Sequence, residues 1–246
     1  MIPETTPKNW LDRQDMAAEI PRPVEELVAE LSEADIRIRL GRGLRVIAFD
    51  PGGTTGWSVM RLDPAKLLDK TASWRDVITH WWHGEIDCGA MSGSVNDAAI
   101  TQLGDEIDLG GSLSGEHAGA YMMDQLVNQA GGRFLTALVI EDFILRTQTQ
   151  KRDALSPVRL TAAFEQMIWE SPGYPTPKRQ QPSEAKSSIT DERLKQWGFW
   201  ASGSRHARDA DRHAILFLRK VRQARSDVYR AWPILKAAVE RDLIQL

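Results

Sequence analysis

Three groups of residues in this 246-residue chain could do chemistry together. Asp50 closes the apolar run Val46-Ile47-Ala48-Phe49 and is followed at once by Pro51-Gly52-Gly53. Glu141 closes a second apolar run that begins at Thr136. His206, Asp209 and His213 follow one another at helical spacing, which puts them on one face of a helix. A carboxylate at the end of a rigid strand, beside a glycine turn, is held still and stays open to ligand. That suits a hard divalent cation, which takes oxygen ligands and keeps several waters. A buried strand has no low-energy way to hold an ionised acid without a partner, so two such strand ends point to a shared cation. For Asp50 alone, the alternative is an acid that only caps its turn.

The elements that must position these groups can be read from the pattern. Residues 45–60 form a hairpin with Asp50 at the base of the turn. Residues 79–86 predict a third strand, and His80 and His83 within it read as structural rather than metal-binding. Residues 118–129 predict a helix ended by Gly131-Gly132. On the strand 136–141, Asp142 points to the face opposite Glu141 and is the second choice as an acid. Ser156-Pro157 opens a helix to about Trp169, Lys178 to Gln181 form a short strand, and Pro182-Ser183 starts another helix. The last motif sits on a helix from Arg205 to Leu218 whose Ala207, Ala210, Ala214 and Leu218 allow close approach to a sheet. Asp211 lies roughly 200° around that helix from Asp209. Trp197-Gly198-Phe199-Trp200 reads as core rather than as a stacking wall. Near the N-terminus, Pro23 opens an amphipathic helix carrying Val24, Leu27, Val28 and Leu31, which could pack on the domain, a second subunit or a partner.

Composition bounds the function class. Hydrophobic residues make up 42% and charged residues 26%, ordinary values for a globular domain. No apolar run reaches the ~18 residues of a membrane span. The first residues lack the pattern of a secretory signal, and the one cysteine, Cys88, forms no internal disulfide. A cytoplasmic protein without membrane contact is expected. The net charge of −3 hides a division: residues 1–142 hold 12 basic and 23 acidic side chains, whereas residues 143–230 hold 17 basic and 9 acidic. Polyanion binding follows local charge, so the second half could carry a face for a nucleic-acid backbone.

Together these segments resemble the RuvC-like Holliday-junction resolvases of the RNase H-like nuclease superfamily, of the kind carried by bacterial viruses. Asp50-Pro51-Gly52 and Thr55-Gly56-Trp57 match the first motif, Glu141 falls on the second catalytic acid, and His206-Ala207-Arg208-Asp209-Ala210 fits the last. The resemblance implies an α/β fold: an RNase H-like mixed central sheet flanked by helices, here with an N-terminal helical extension. Residues 1–43 would be an arm and amphipathic helix, 44–230 the nuclease domain with a loop insertion at 87–115, and 231–246 a C-terminal helix. It further implies a Mg²⁺-dependent endonuclease (Mn²⁺ serving as well) acting on four-way or branched DNA as a homodimer. Asp50 would bridge two metal ions, with Glu141 and Asp209 as outer ligands and His206 as a ligand or proton carrier. Lys186, with Arg146, Lys151 and Arg152 of the basic connection 146–153, would face the DNA. Three rival readings are a junction-binding protein that does not cut, an actin-like or sugar-kinase-like ATP-binding domain, and the nuclease domain of a viral packaging motor. The phosphate loop of the ATP-binding class occurs only once here, and the packaging motor's ATPase half is missing.

Overall fold

The computed structural model describes residues 21–88, 98–100, 115–143 and 155–244. Six strands form one mixed sheet in the order β4-β3-β2-β1-β5-β6. Strands β1 (Leu44–Asp50), β2 (Thr54–Leu62), β3 (Ile78–Cys88) and β4 (Ala98–Ile100) pair antiparallel in sequence. Strands β5 (Thr136–Glu141) and β6 (Lys178–Gln180) run parallel to β1. The α/β class expected from the sequence is the one observed.

Strand periodicity sorts side chains to two cores, one on each face of the sheet. On β1, Ile47 and Phe49 pack with Leu138 and Ile140 of β5 against helices α5 (Gly115–Leu126) and α6 (Ser156–Glu170). Phe49 meets Phe164 edge to face at 5.2 Å between centroids, a contact worth about 0.5–1.5 kcal/mol beyond its buried area. Val46 and Ala48 point the other way, with Ala137 and Val139, into a core built around helix α9 (Arg205–Val221). By the same alternation Asp50 and Glu141 fall on the α9 face and Asp142 on the other.

The N-terminal extension belongs to this second core. Helices α1 (Val24–Ala29) and α2 (Glu33–Leu40) place Val24, Val28, Ile36 and Leu40 with Ile234, Leu235 and Ala238 of the C-terminal helix α11 (Pro233–Glu240). Arg241 donates to the backbone oxygens of Leu31 (2.7 Å) and Ala29 (3.1 Å), which ties the two chain ends together. The amphipathic helix thus packs on the domain itself, one of the three partners open to it.

Several boundaries differ from expectation for local reasons. Helix α2 escapes a periodicity search because Ile36, Ile38 and Leu40 alternate with Arg37 and Arg39 as a strand would. Its ends decide instead: the Ser32 hydroxyl accepts from the Asp35 backbone N–H at 3.1 Å, with acids in the first turn and arginines in the last. The 87–115 segment is not one loop throughout, since β3 continues to Cys88, β4 pairs with it and α5 already begins at Gly115. The chain segment between β1 and the last helix also holds short helices α3 (Pro64–Leu68), α4 (Trp74–Val77), α7 (Pro182–Ser188), α8 (Asp191–Trp197) and α10 (Arg225–Ala231). Phe199 is buried and Trp197 and Trp200 pack half-buried beside it, so this aromatic run is core, as read from the sequence. No helix among the described residues is long and apolar enough to cross a membrane.

Candidate active site

Register builds the site before any side chain is considered. Phe49 pairs with Ile140, so the next residues, Asp50 and Glu141, end neighbouring parallel strands on the same face. Asp50 pairs with Gly56 on β2, Gly56 with Glu85 on β3, and Glu141 with Gln180 on β6. A row therefore crosses five strands: Glu85, Gly56, Asp50, Glu141, Gln180. Gly56 is the gap in the row. A Cβ there would lie 2.0 Å from the His206 carbonyl oxygen, so only glycine lets the first turn of α9 rest on the sheet at this point.

That close approach delivers the helix residues. The Ser204 hydroxyl caps α9 by accepting from the Ala207 N–H at 2.9 Å, and itself donates to the Glu85 carboxylate. His206 Nδ1 then meets Asp50 Oδ2 at 3.0 Å. One helical turn on, Asp209 is buried, with Oδ1 paired to Arg212 and Oδ2 3.1 Å from the Lys186 ammonium. Arg212 is fixed in turn by Asp191 and by the Ile189 carbonyl at 3.1 Å. A further turn on, His213 Nε2 donates to Glu141 Oε2 at 2.7 Å. The Gln180 amide is oriented with its nitrogen donating to His213 Nδ1 at 3.0 Å and its oxygen accepting from the Phe217 N–H at 3.3 Å. This leaves Nε2 as the protonated nitrogen and makes Gln180–His213–Glu141 a directed chain.

The charges at this end of the sheet are out of balance. Asp50 is 8% exposed, and its carboxyl is raised above the ordinary range by burial, with the charges of Glu141 and Asp209 adding to the shift. His206 is raised above the ordinary histidine value, first by its hydrogen bond to Asp50 and also by the charges of Asp50, Glu85 and Asp209. Asp50, Glu141, His206 and Asp209, chosen from the sequence, are thus neighbours at one sheet end. Lys186 borders them. Arg146, Lys151 and Arg152 lie outside the described residues.

The donor set suits a hard divalent cation on chemical grounds: three carboxylates and an imidazole, with Asp50 pushed toward its neutral form by burial and then by the charges of Glu141 and Asp209. Among the described residues no three His, Cys, Asp or Glu side chains converge tightly enough to enclose a metal ion in this arrangement. Each carboxylate is instead held by a neighbour of its own. Cys88 offers no alternative nucleophile, since burial raises its thiol to about 11.

Other candidates separate cleanly. Asp142 faces away and is held by Gln181 Nε2 at 2.7 Å and Arg179 at 3.7 Å. Asp211 is fully buried on the other side of α9, accepting from Trp81 Nε1 and meeting His83 Nδ1, both at 2.7 Å. His80 stacks on Trp82 at the exposed edge, and His83 is occupied by Asp211. Glu85, Gln180 and Ser204 were not singled out from the sequence, and Gly56 entered only as part of the hairpin motif. The alternation of Trp81, His83 and Glu85 along β3 was the available signal for the first of them.

Two solved structures of RuvC from Thermus thermophilus are similar to this chain. One, described as in complex with Holliday junction substrate, is 14% identical, with 74% of this chain and 96% of that chain covered at a TM-score of 0.44. The other is 12% identical, with 73% and 96% covered at a TM-score of 0.42. No protein-family model and no curated protein matches the chain.

Proposed function

We propose that this chain is a Mg²⁺-dependent endonuclease that resolves four-way or branched DNA junctions, acting as a homodimer. One observation carries the reading. Asp50, Glu141, His206 and Asp209 come from distant segments, His206 lying 156 positions from the Asp50 it meets, and are gathered at one sheet end. Burial first, and then the charges of Glu141 and Asp209, disfavour the ionised form of Asp50 when no cation is present. A core does not need such an arrangement, whereas a phosphodiesterase site does.

In this reading Asp50, Glu141 and Asp209 would hold the divalent cation, with His206 as a fourth ligand or as a proton carrier. The cation, when bound, would activate water and stabilise the leaving oxygen of a phosphodiester. The chain's own contribution is positional. Burial in the sheet fixes Asp50, the Gln180–His213 chain aims Glu141, and Arg212 holds one oxygen of Asp209 while Lys186 holds the other. His206 is half exposed, so its imidazole can exchange a proton with solvent or with substrate while Nδ1 faces Asp50. Lys186 can move from Asp209 to a phosphate without crossing any barrier of burial, being 44% exposed.

The test is nicking of four-way, flap and linear DNA by purified protein, with and without Mg²⁺. Paired nicks across the four-way junction, dependent on Mg²⁺, are expected, and sedimentation should give a dimer. Equal cutting of linear duplex, or none of branched DNA, would overturn the assignment.

A further inference from the structure

Beside Asp209 lies a cleft of about 480 Å³. Lys186 of α7, Thr190 before α8, and Arg205, Arg208 and Arg212 of α9 form its walls, and Asp209 lies among them. Asp191 and Glu192 also line it, so the charge is not uniform and the distribution of spare donors decides what fits. Arg212 is consumed by Asp191 and Asp209. One guanidinium shared between two carboxylates offsets part of their charge and makes that wall rigid. Arg205 is 77% exposed, and its nearest anion is Asp209 at 4.0 Å, too far for a hydrogen bond. Arg208 spends Nη1 on the Gly203 oxygen at 2.7 Å and the Ala201 oxygen at 3.4 Å, and lies 6.0 Å over the Trp200 ring. Its remaining donors have no partner among the described residues. Lys186 contributes three mobile N–H groups. The cleft therefore offers guanidinium and ammonium donors in a concave place, with one of its walls shared with the cutting site.

We propose that this cleft is a phosphate-holding subsite, in which Arg205, Arg208 and Lys186 grip a backbone phosphodiester of the DNA strand beside the one being cut. The inference rests on the nuclease reading and adds to it the register of the substrate. A tetrahedral anion with several acceptor oxygens satisfies donors that converge from three directions. A carboxylate ligand would fill fewer of them, and an apolar ligand would leave all of them unpaired. With a phosphate held here, Lys186 is drawn off Asp209, so substrate binding frees one carboxylate oxygen at the moment the site needs it.

The experiment uses the full chain carrying Asp50→Asn, expected to bind without cutting, and measures junction affinity across a salt series. Arg205→Ala is the primary variant because, among the described residues, that side chain makes no polar contact closer than its 4.0 Å approach to Asp209. It should weaken binding several-fold and lower the slope of log affinity against log salt by about 1. Arg205→Glu should weaken it further. Arg230→Ala removes an equally exposed charge at the far end of the sheet and should leave the slope unchanged. Equal binding by the Arg205 variants, while the reference protein binds the junction, overturns the subsite and spares the nuclease reading. Equal losses for Arg205→Ala and Arg230→Ala overturn it too, by reducing the effect to overall charge. A reference protein that ignores branched DNA overturns both.

Discussion

Two of the histidine–carboxylate pairs that helix α9 makes look alike and are put to different use. On one side His206 meets Asp50 at 3.0 Å, and on the other Asp211 meets His83 at 2.7 Å. Burial raises both aspartates above their ordinary range. The difference lies in what surrounds them. Asp211 is fully enclosed and both its oxygens are taken, one by His83 and one by Trp81. Among the described residues Asp50 has one partner, a half-exposed histidine, and two further carboxylates within electrostatic reach. A buried charge with all its partners is part of the architecture. A buried charge short of partners, at an open edge, is available for chemistry.

The largest expected effect separates those two roles. Asp50→Asn should reduce nicking by at least about 10²-fold, the scale on which a lost transition-state electrostatic contact is felt. Its melting temperature should hold or rise, because a repelled buried carboxylate has been removed. Asp211→Ala should do the reverse: about 3–5 kcal/mol of stability lost in urea unfolding, through stranding of the Trp81 and His83 donors, with cutting per folded molecule retained. A dead but stable Asp211 variant, or an unstable but active Asp50 variant, would exchange the two assignments.

Gly56 tests whether the open pair depends on helix seating. Gly56→Ala places a methyl against the His206 backbone, which must back away from the sheet. We expect a loss of about 1–3 kcal/mol from overpacking, together with most of the activity, since His206 retreats from Asp50 with the turn that carries it. Normal cutting by this variant would mean that the His206–Asp50 contact is dispensable.

His213 gives a finer measure. His213→Ala leaves Glu141 unaimed and should lower activity or metal affinity by about 10–100-fold. His213→Gln retains an N–H that can reach Glu141 and should recover part of the loss. If both variants behave alike, the histidine serves packing only.

The comparison also explains what the sequence could reveal. The strand ends at Asp50 and Glu141 were legible because an acid closing an apolar run conflicts with burial, and the conflict is visible in one dimension. The opposed faces of Asp209 and Asp211 were legible from helical geometry, which needs only spacing. What Asp211 does was not legible, because its partners sit on β3, 128 and 130 positions away, and pair with it only through the β2–β3 register. Glu85 and Gln180 were missed for the same reason: each joins the row through a strand pairing. Helix α2 was hidden by an alternation that its caps overruled. Spacing within one element carries well from sequence; spacing across a sheet does not.

The smallest effect is the most direct reading of the open pair. In metal-free protein, His206 should titrate above the ordinary value of about 6.5, because the hydrogen bond to Asp50 favours the imidazolium. The sign for stability follows. A histidine whose folded pKa lies above its unfolded one stabilises fully below about pH 6.5, and that contribution fades as pH rises through the folded pKa. Replacing Asp50 by Asn removes the main cause of the shift, so the His206 ring resonances should titrate at lower pH and this part of the pH dependence should flatten. A His206 pKa that does not move in the Asp50→Asn protein would show that the two side chains do not share a proton equilibrium, and the proton-carrying role of His206 would fall with it.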